Sequence, residues 1–514
     1  MMPSHLVIAP ILAPFVAGTL LLLVRNLRMP VRRRIAFISL LVQIALAVLL
    51  LRAVAGGDIL VYRLGDWPAP WGIVLVADRL AAALVLVTTL LALFALVHAG
   101  DGLDRRGRHF HVLFQMQLFS IAGAFLTGDL FNLFVFFEIL LIASYGLLLH
   151  GGGPDRVRAG LHYVVLNLVG STVFLFAAGI IYASLGSLNL ADLAQRAAAA
   201  PSENLGLARA GGLLLLVVFA LKAALLPLCL WLPSAYALTS APIAALFAIM
   251  TKVGLYAILR TDTLLFGNAA GPLAGLYAPW LLPLGLATLA FGVVGALGSH
   301  HLRRLGAWLV VASAGTLLTA FALGPAGIAA GLYYLPHGTF AAALFFLVAE
   351  GVARRRPACG DALVPDLDQP GYGWWGALYF ATAVALASLP PLGGFIGKFL
   401  LLRASPDPAV WSVVLGAAFL SIVALARAGS IVFFSVHTVA AGAPEDTPRA
   451  VDVQPGEAAD PDSGRRETLA ILGLLALVLA LALGAGPAHE FARDTATQLG
   501  EPIAYVRAVL GGGP

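Results

Sequence analysis

Charge is what this chain has least of: 11% of its 514 residues are Asp, Glu, Lys or Arg, where a water-soluble domain carries about a quarter. With 60% hydrophobic residues and a mean hydropathy of +0.94, there is too little polar surface to cover a soluble globule, so lipid is the expected solvent. Cysteine is nearly absent. Cys229 and Cys359 lie far apart, which excludes a CxxC redox pair and any four-cysteine zinc or iron-sulfur site built from this chain. No phosphate-binding GxxxxGK[ST] loop and no dinucleotide fingerprint in a strand-turn-helix context occurs, which argues against ATP-driven transport by this chain. No metal site and no cofactor is expected. The net charge of +5 would suggest a nucleic-acid partner only if its location were ignored.

What the chain has in quantity is apolar runs near the ~20 residues that a helix needs to cross ~30 Å of hydrocarbon. About fourteen such spans are expected, at 5–24, 34–54, 73–98, 109–127, 129–149, 159–184, 210–230, 238–260, 277–299, 304–323, 328–350, 374–401, 410–436 and 467–485. The first run, His5 to Val24, has no basic stretch before it, and Arg25, Arg28 and Arg32 to Arg34 follow it, so it reads as a first span and not as a signal peptide. Further basic clusters are Arg105, Arg106 and Arg108, Arg156 and Arg158, Arg303 and Arg304, and Arg354 to Arg356. All of them fall in loops from an odd to an even span, so the excess of positive charge puts those loops in the cytoplasm and both termini outside. Gly57 to Gly72 reads as an external connection with strand character, and Asn189 to Gly206 as an external loop with a short helix. Ala441 to Arg466 reads as a flexible cytoplasmic linker, and His489 to Val509 as a surface helix.

A charged side chain at mid-membrane depth costs about 2.5–3.5 kcal/mol on insertion scales, so each one kept there is a functional candidate. Glu138 stands nine residues after Asp129 in Gly128-Asp129-Leu130-Phe131-Asn132-Leu133-Phe134-Val135-Phe136-Phe137-Glu138. At about 1.5 Å per residue it lies about 14 Å down a helix, near the midplane. Lys222 sits inside an apolar run five residues before Pro227, and Lys252 ten residues after Pro242. Lys398 follows Leu389-Pro390-Pro391-Leu392-Gly393-Gly394-Phe395-Ile396-Gly397, a stretch that should break its helix. A broken helix frees backbone groups that need a polar partner, which predicts a hydrated cavity.

Lysine suits proton movement because desolvation loosens its proton and a nearby carboxylate tightens it again. The competing reading is that these side chains are neutral, snorkel, or pair to brace helices. His337, beside Pro336 in span eleven, reads equally as a proton carrier between the halves of the chain and as a bonded core residue. His162 and His437 are weaker candidates, and His300 and His301 read as solvated. Asp129, Arg260 and Glu350 fall near predicted helix ends, where a solvated or snorkelling charge is the plainer reading.

The stretch from Leu221-Lys222 through Pro227, Trp231, Pro233 and Ala241-Pro242 to Thr251-Lys252-Val253-Gly254-Leu255-Tyr256 resembles the signature of the antiporter-like subunits shared by respiratory complex I, membrane hydrogenases and Mrp antiporters. Gly128 to Glu138, followed by Leu141-Ile142-Ala143-Ser144-Tyr145-Gly146, resembles the D-type subunit of Mrp-type multisubunit Na+/H+ antiporters. The resemblance implies an all-α integral membrane fold with two inverted five-helix repeats, spans 4–8 (109–260) and 9–13 (277–440). Before them stand helices 1–3 (1–108), and after them the loop 441–466 and a last helix with its tail (467–514). Helices seven and twelve are expected to be broken, at Pro227 and at Pro390, Pro391 and Gly393.

The resemblance further implies a charge pair of Glu138 and Lys222, and a proton relay continuing through Lys252, His337 and Lys398. The implied setting is a multi-pass protein of the bacterial cytoplasmic membrane, not an enzyme, acting with other antiporter subunits to exchange H+ for Na+ or K+. Two departures stand out: many relatives have histidine where this chain has Cys229 and Tyr236, and many have a lysine where it has Ala341. The rival readings are a proton-pumping subunit of a complex I-like or hydrogenase complex, a haem-bearing oxidase subunit, and a pure scaffold. Histidines placed mostly at helix ends or in loops argue against the second of these, and intramembrane charge against the third.

Overall fold

The computed structural model describes residues 4–24, 27–365, 372–434 and 463–511. The N-terminal part holds α1 (His5–Leu23), α2 (Met29–Val54), the strands β1 (Leu60–Arg63) and β2 (Val74–Ala77), and α3 (Arg79–Ala99). Then follow α4 (Phe110–Leu126), α5 (Leu130–Leu148), α6 (Pro154–Leu185), the short α7 (Leu190–Ala198), α8 (Leu205–Lys222), α9 (Trp231–Leu238), α10 (Ala241–Phe247) and α11 (Met250–Leu265). The second half holds α12 (Ala278–Leu297), α13 (Leu302–Phe321), α14 (Gly324–Arg354), α15 (Tyr372–Ala387), α16 (Gly393–Arg403), α17 (Pro408–Phe433), α18 (Ser463–Leu483), α19 (Ala485–Gly500) and α20 (Pro502–Leu510). Among the described residues, twelve helical stretches are long and apolar enough to cross a membrane, and two shorter apolar helices, Phe110–Leu126 and Gly373–Ala387, fill the remaining places in the predicted order.

Burial sorts these spans into a centre and a rim. The apolar window of Ala241–Leu265 is 100% buried and those of α13 and α14 are 89% buried, against 28% for α2 and for the window in α18. The outer helices therefore present apolar faces to lipid, while spans eight, ten and eleven form the middle of the bundle. Helices approach through small residues, as is usual where lipid removes the hydrophobic drive for association. A Cβ on Gly292 would come within 2.5 Å of Ala312 N, and one on Gly315 within 2.3 Å of Leu289 N, so α12 and α13 touch backbone to backbone.

The loops separate into two ends. At the arginine-rich end Arg33 bonds Asp104 at 2.6 Å, Arg156 donates to Leu238 O, Arg303 meets Asp361, and Arg355 meets Glu467. These contacts join the ends after spans one and three, five and seven, and nine and eleven, and tie Arg355 to the start of α18. At the other end β1 and β2 pair antiparallel, β2 bridges Thr127, Asp129 bridges Asn189, and Gln498 of α19 bonds Gly57. This alternation is what the arginine pattern demands.

Several details depart from the sequence reading. Span three does not begin at 73, because Val74–Ala77 is a strand and Asp78 caps α3 by accepting from Ala81 N at 2.9 Å. The expected surface helix near the end is two helices, α19 and α20. Residues 463–466, expected in the linker, already belong to α18. Arg25, His437, the end of span thirteen, and 441–462 of the linker lie outside the described residues.

Candidate functional site

Helix α5 starts where Asp129 accepts from Asn132 N at 2.8 Å, and its register then carries Glu138 into the bundle. Glu138 is half-buried, and its Oε1 is buried without a hydrogen-bond partner. Helix α8 ends on Lys222, which is 5% exposed. Its Nζ lies 5.8 Å from the centre of the Phe137 ring and donates to Asn167 Oδ1 of α6 at 3.4 Å. Glu138 and Lys222 are electrostatic neighbours without an ion-pair contact. The expected pair is therefore open, with Asn167 holding the ammonium.

The breaks after α8 and α15 are built alike. Leu225 N bonds Ala220 O at 2.9 Å and Ala224 N bonds Leu221 O at 3.1 Å; Leu389 N bonds Val384 O at 3.0 Å and Ser388 N bonds Ala385 O at 3.1 Å. Ala224 and Ser388 both take positive φ, 54° and 61°, and each stands three residues before a cis proline, Pro227 and Pro391. Left-handed backbone at a non-glycine residue is uncommon and clusters at functional sites. In each break the exposed carbonyl takes a second donor from a ring nitrogen: Trp231 Nε1 to Leu221 O at 3.0 Å, and His337 Nε2 to Ala385 O at 3.0 Å. Pro390 and Gly393 stand at either side of Pro391 as expected, and α16 restarts at Gly393.

His337 is thus bonded to the second break. Donation from Nε2 leaves Nδ1 as an acceptor, and it is buried without a partner. His337 and the half-buried Lys398 line one cavity of about 20 Å³ together with Ser313, Thr316, Tyr334 and Ser421, a volume near that needed for one water. Ala341 also lines it. Among the described residues, the fully buried Lys252 donates to Thr251 Oγ1 at 3.2 Å. Two residues on, Gly254 packs against the first break, where a Cβ would stand 2.5 Å from Ala223 N and 2.8 Å from Lys222 C; about 200° of helical turn separates it from Lys252. The structure therefore brings together two groups, Glu138 with Lys222 and Asn167, and His337 with Lys398, and leaves Lys252 apart from both.

Other charges correct the sequence reading. Arg260 is neither solvated nor snorkelling: it is 6% exposed and ion-paired to Asp78 at 2.6 Å, with its guanidinium 5.3 Å from the ring centres of Tyr256 and Tyr505. Glu350 accepts from Ala241 N at 2.8 Å and from Arg354 at 2.6 Å, so it caps α10. Asp129 is the cap of α5. His301 is half-buried and meets Asp361 at 3.3 Å, whereas His300 and His162 are exposed. Cys229 is buried, and Tyr236 donates to Phe247 O at 2.7 Å. Sequence reasoning missed Asn167, Thr251, Ser313, Thr316 and the Asp78 partner of Arg260, because neutral polar residues and loop carboxylates carry no penalty that marks them.

Two broken membrane helices, each with titratable side chains near the break, define the class as a polytopic membrane fold. The family model described as "NADH:quinone oxidoreductase/Mrp antiporter, TM" matches residues 127–424. The chain is 40% identical to a probable K(+)/H(+) antiporter D-type subunit of Rhizobium meliloti, over 99% of its own length and 98% of that protein's. It is 33% identical to the Na(+)/H(+) antiporter D-type subunit of Alkalihalophilus pseudofirmus, covering 99% of both. A chain of the Mrp complex from Dietzia sp. DQ12-45-1b superposes with a TM-score of 0.85 at 30% identity, over 99% of this chain and 100% of that one. A chain of respiratory complex I from Thermus thermophilus shares the fold, with a TM-score of 0.73 at 24% identity over 96% of this chain and 100% of that one. The chain belongs to this NADH:quinone oxidoreductase/Mrp antiporter family, and within it to the D-type antiporter subunits.

Proposed function

We propose that this chain conducts protons for a multisubunit antiporter that exchanges external H+ for cytoplasmic Na+ or K+, assembled with other subunits in the bacterial cytoplasmic membrane. Protons pass along Glu138, Lys222, Lys252, His337 and Lys398, through two repeats at 109–260 and 277–440. The observation that carries this reading is the matched pair of breaks, each with a buried basic side chain at freed backbone. At the second break the Ala385 carbonyl takes a side-chain donor from His337 beside its backbone one, so a titratable ring is held at the break; at the first, Trp231 fills that place and Lys222 ends the helix. With Glu138 and Lys222 out of contact, a shift of Glu138 toward Lys222 would stabilise the ammonium, and a shift away would release its proton. Interacting groups of this kind titrate together as a set.

The arginine-rich end faces the cytoplasm on this reading, because retained cytoplasmic loops hold the excess of Lys and Arg. The second reading, a redox-coupled pump subunit, has the shared fold of complex I in its favour. Everted vesicles containing the full set of antiporter subunits separate the two. Collapse of a preset pH gradient on adding NaCl or KCl, with no quinone reductase in the preparation, supports antiport. A gradient that neither salt collapses, and that builds only when an electron donor is oxidised, contradicts it.

A further inference from the structure

Between the second break and the external end stand two side chains that the relay does not use, Tyr333 and His489. Tyr333 lies one turn before His337 on α14, and about 26 Å along that helix from Glu350 at the arginine-rich end, counted at about 1.5 Å per residue. In a hydrocarbon core of ~30 Å this places it near the outer face. A Cβ on Gly393 would stand 3.2 Å from Tyr333 Oη and 3.4 Å from His337 Nδ1. The two polar atoms therefore face one gap at the start of α16, no wider than about 6.6 Å, which a bridging water spans. Tyr333 Oη donates to Leu481 O at 3.2 Å, and His337 Nδ1 is the acceptor left without a partner.

His489 stands against Tyr333 from α19, the helix that follows α18 at the external end and bonds Gly57 there through Gln498. The two rings meet edge to face, with 6.3 Å between centres and 88° between planes. His489 is half-buried, and its Nδ1 is enclosed with no hydrogen-bond partner. The other ionisable groups of α19 are placed differently: Asp494 is held by Arg79 at 3.5 Å and by Arg493 at 3.9 Å, and Glu490 is exposed. An imidazole can take a proton on one nitrogen and release one from the other, which suits a place between water and a buried acceptor. We propose that His489 is the external port of the proton route, passing protons between the outer medium and His337 through Tyr333 and the gap at Gly393. The port rests on the antiport reading above, because it feeds the same route. Inward, a proton from the medium binds His489 Nε2, and the Nδ1 proton leaves through water to Tyr333 Oη, whose own proton crosses the gap to His337 Nδ1. His489 and Tyr333 end neutral, as they began, and His337 carries the added charge.

The test uses right-side-out vesicles that bear the complete set of subunits and are loaded with NaCl or KCl. Cation-dependent proton flux is read from a pH dye in the lumen, corrected for buffering and compared at equal assembly. HEPES, which does not cross the bilayer, is varied in the medium or in the lumen. His489→Gln, which keeps a polar side chain of similar size without a titratable proton, is expected to slow flux about tenfold at low HEPES. HEPES in the medium, and not in the lumen, is expected to recover that flux, because a mobile buffer stands in for the missing carrier at that face. Tyr333→Phe keeps the ring, loses the hydroxyl, and is expected to slow flux at every HEPES concentration. Glu490→Gln, one residue along α19, serves as the control and leaves flux unchanged. Full flux in His489→Gln at low HEPES, slow flux that HEPES in the medium does not recover, or undiminished flux in Tyr333→Phe would overturn the port while leaving antiport in place. An unaltered complex without cation-dependent flux would overturn both.

Discussion

Lys222 is held by one neutral amide, and this is the arrangement a movable proton needs. A carboxylate at Asn167 would lock the ammonium, and an apolar residue would leave it without an acceptor. Asn167→Leu is therefore expected to slow cation-dependent proton flux several-fold while leaving subunit assembly intact, measured on vesicles with matched expression. Arg260 represents the opposite case. Its carboxylate Asp78 is 2.6 Å away and two aromatic rings cover it, so the pair ties α3, α11 and α20 and has no reason to move. Breaking such a pair from one side leaves a buried charge and costs about 3–5 kcal/mol. Asp78→Asn should lower the unfolding temperature of the purified protein. Arg260→Leu made together with Asp78→Leu should recover part of that loss, and a double variant as unstable as the sum of the singles would contradict the pairing.

At the scale of the helix, the two breaks decide what the bundle can do, and glycine decides how closely the neighbouring helices approach them. Gly254 faces backbone atoms of Lys222 and Ala223 with no room for a methyl group. Gly254→Ala must push α11 off the first break, so loss of exchange or of stable protein is expected, assayed by flux and by yield. Gly394 is gentler, since its Cβ would meet the His337 ring at 2.5 Å and the ring can turn. Gly394→Ala is expected to keep the fold and reduce flux.

The breaks are legible in the sequence because proline and clustered glycine act locally, and the buried lysines are legible because charge in an apolar run is costly. The partners of those lysines are not. Asn167 and Thr251 look like any polar residue on a helix, and whether they face lipid or a lysine is settled only by packing. Arg260 is hidden for a related reason. Its partner lies far back in the chain, at a strand-to-helix junction that hydropathy merges into span three.

On the scale of the whole molecule, the loops gather at two chemically distinct ends, and this is the property that sets orientation in the membrane. A single cysteine at Arg304 should react with a membrane-impermeant thiol reagent only in inside-out vesicles, and one at Asp58 only in right-side-out cells; the opposite pattern would invert the topology. The arginine-rich end is also held by acid-sensitive contacts. Burial by itself would raise the pKa of Asp104, but the bonds from Arg33 and His111 outweigh it and hold the group at about 2, below its usual 3.8. A carboxyl with a depressed folded pKa adds stability that is complete above the unfolded value and is lost as pH falls through the folded one. Asp104→Asn should therefore destabilise the protein at pH 7 by an amount that shrinks between about pH 4 and pH 2. An unchanged difference across that range would show that Asp104 does not act through its charge.

The claim at the centre of this account is that protons cross through this chain along the Glu138–Lys222 break. The measurement that tests it most directly is Na+- and K+-dependent dissipation of a preset pH gradient in vesicles bearing the complete complex, comparing the unaltered protein with Glu138→Ala and Lys222→Ala at equal assembly. The account predicts that each substitution abolishes the cation-dependent dissipation. Exchange that continues undiminished in either fully assembled variant would contradict it.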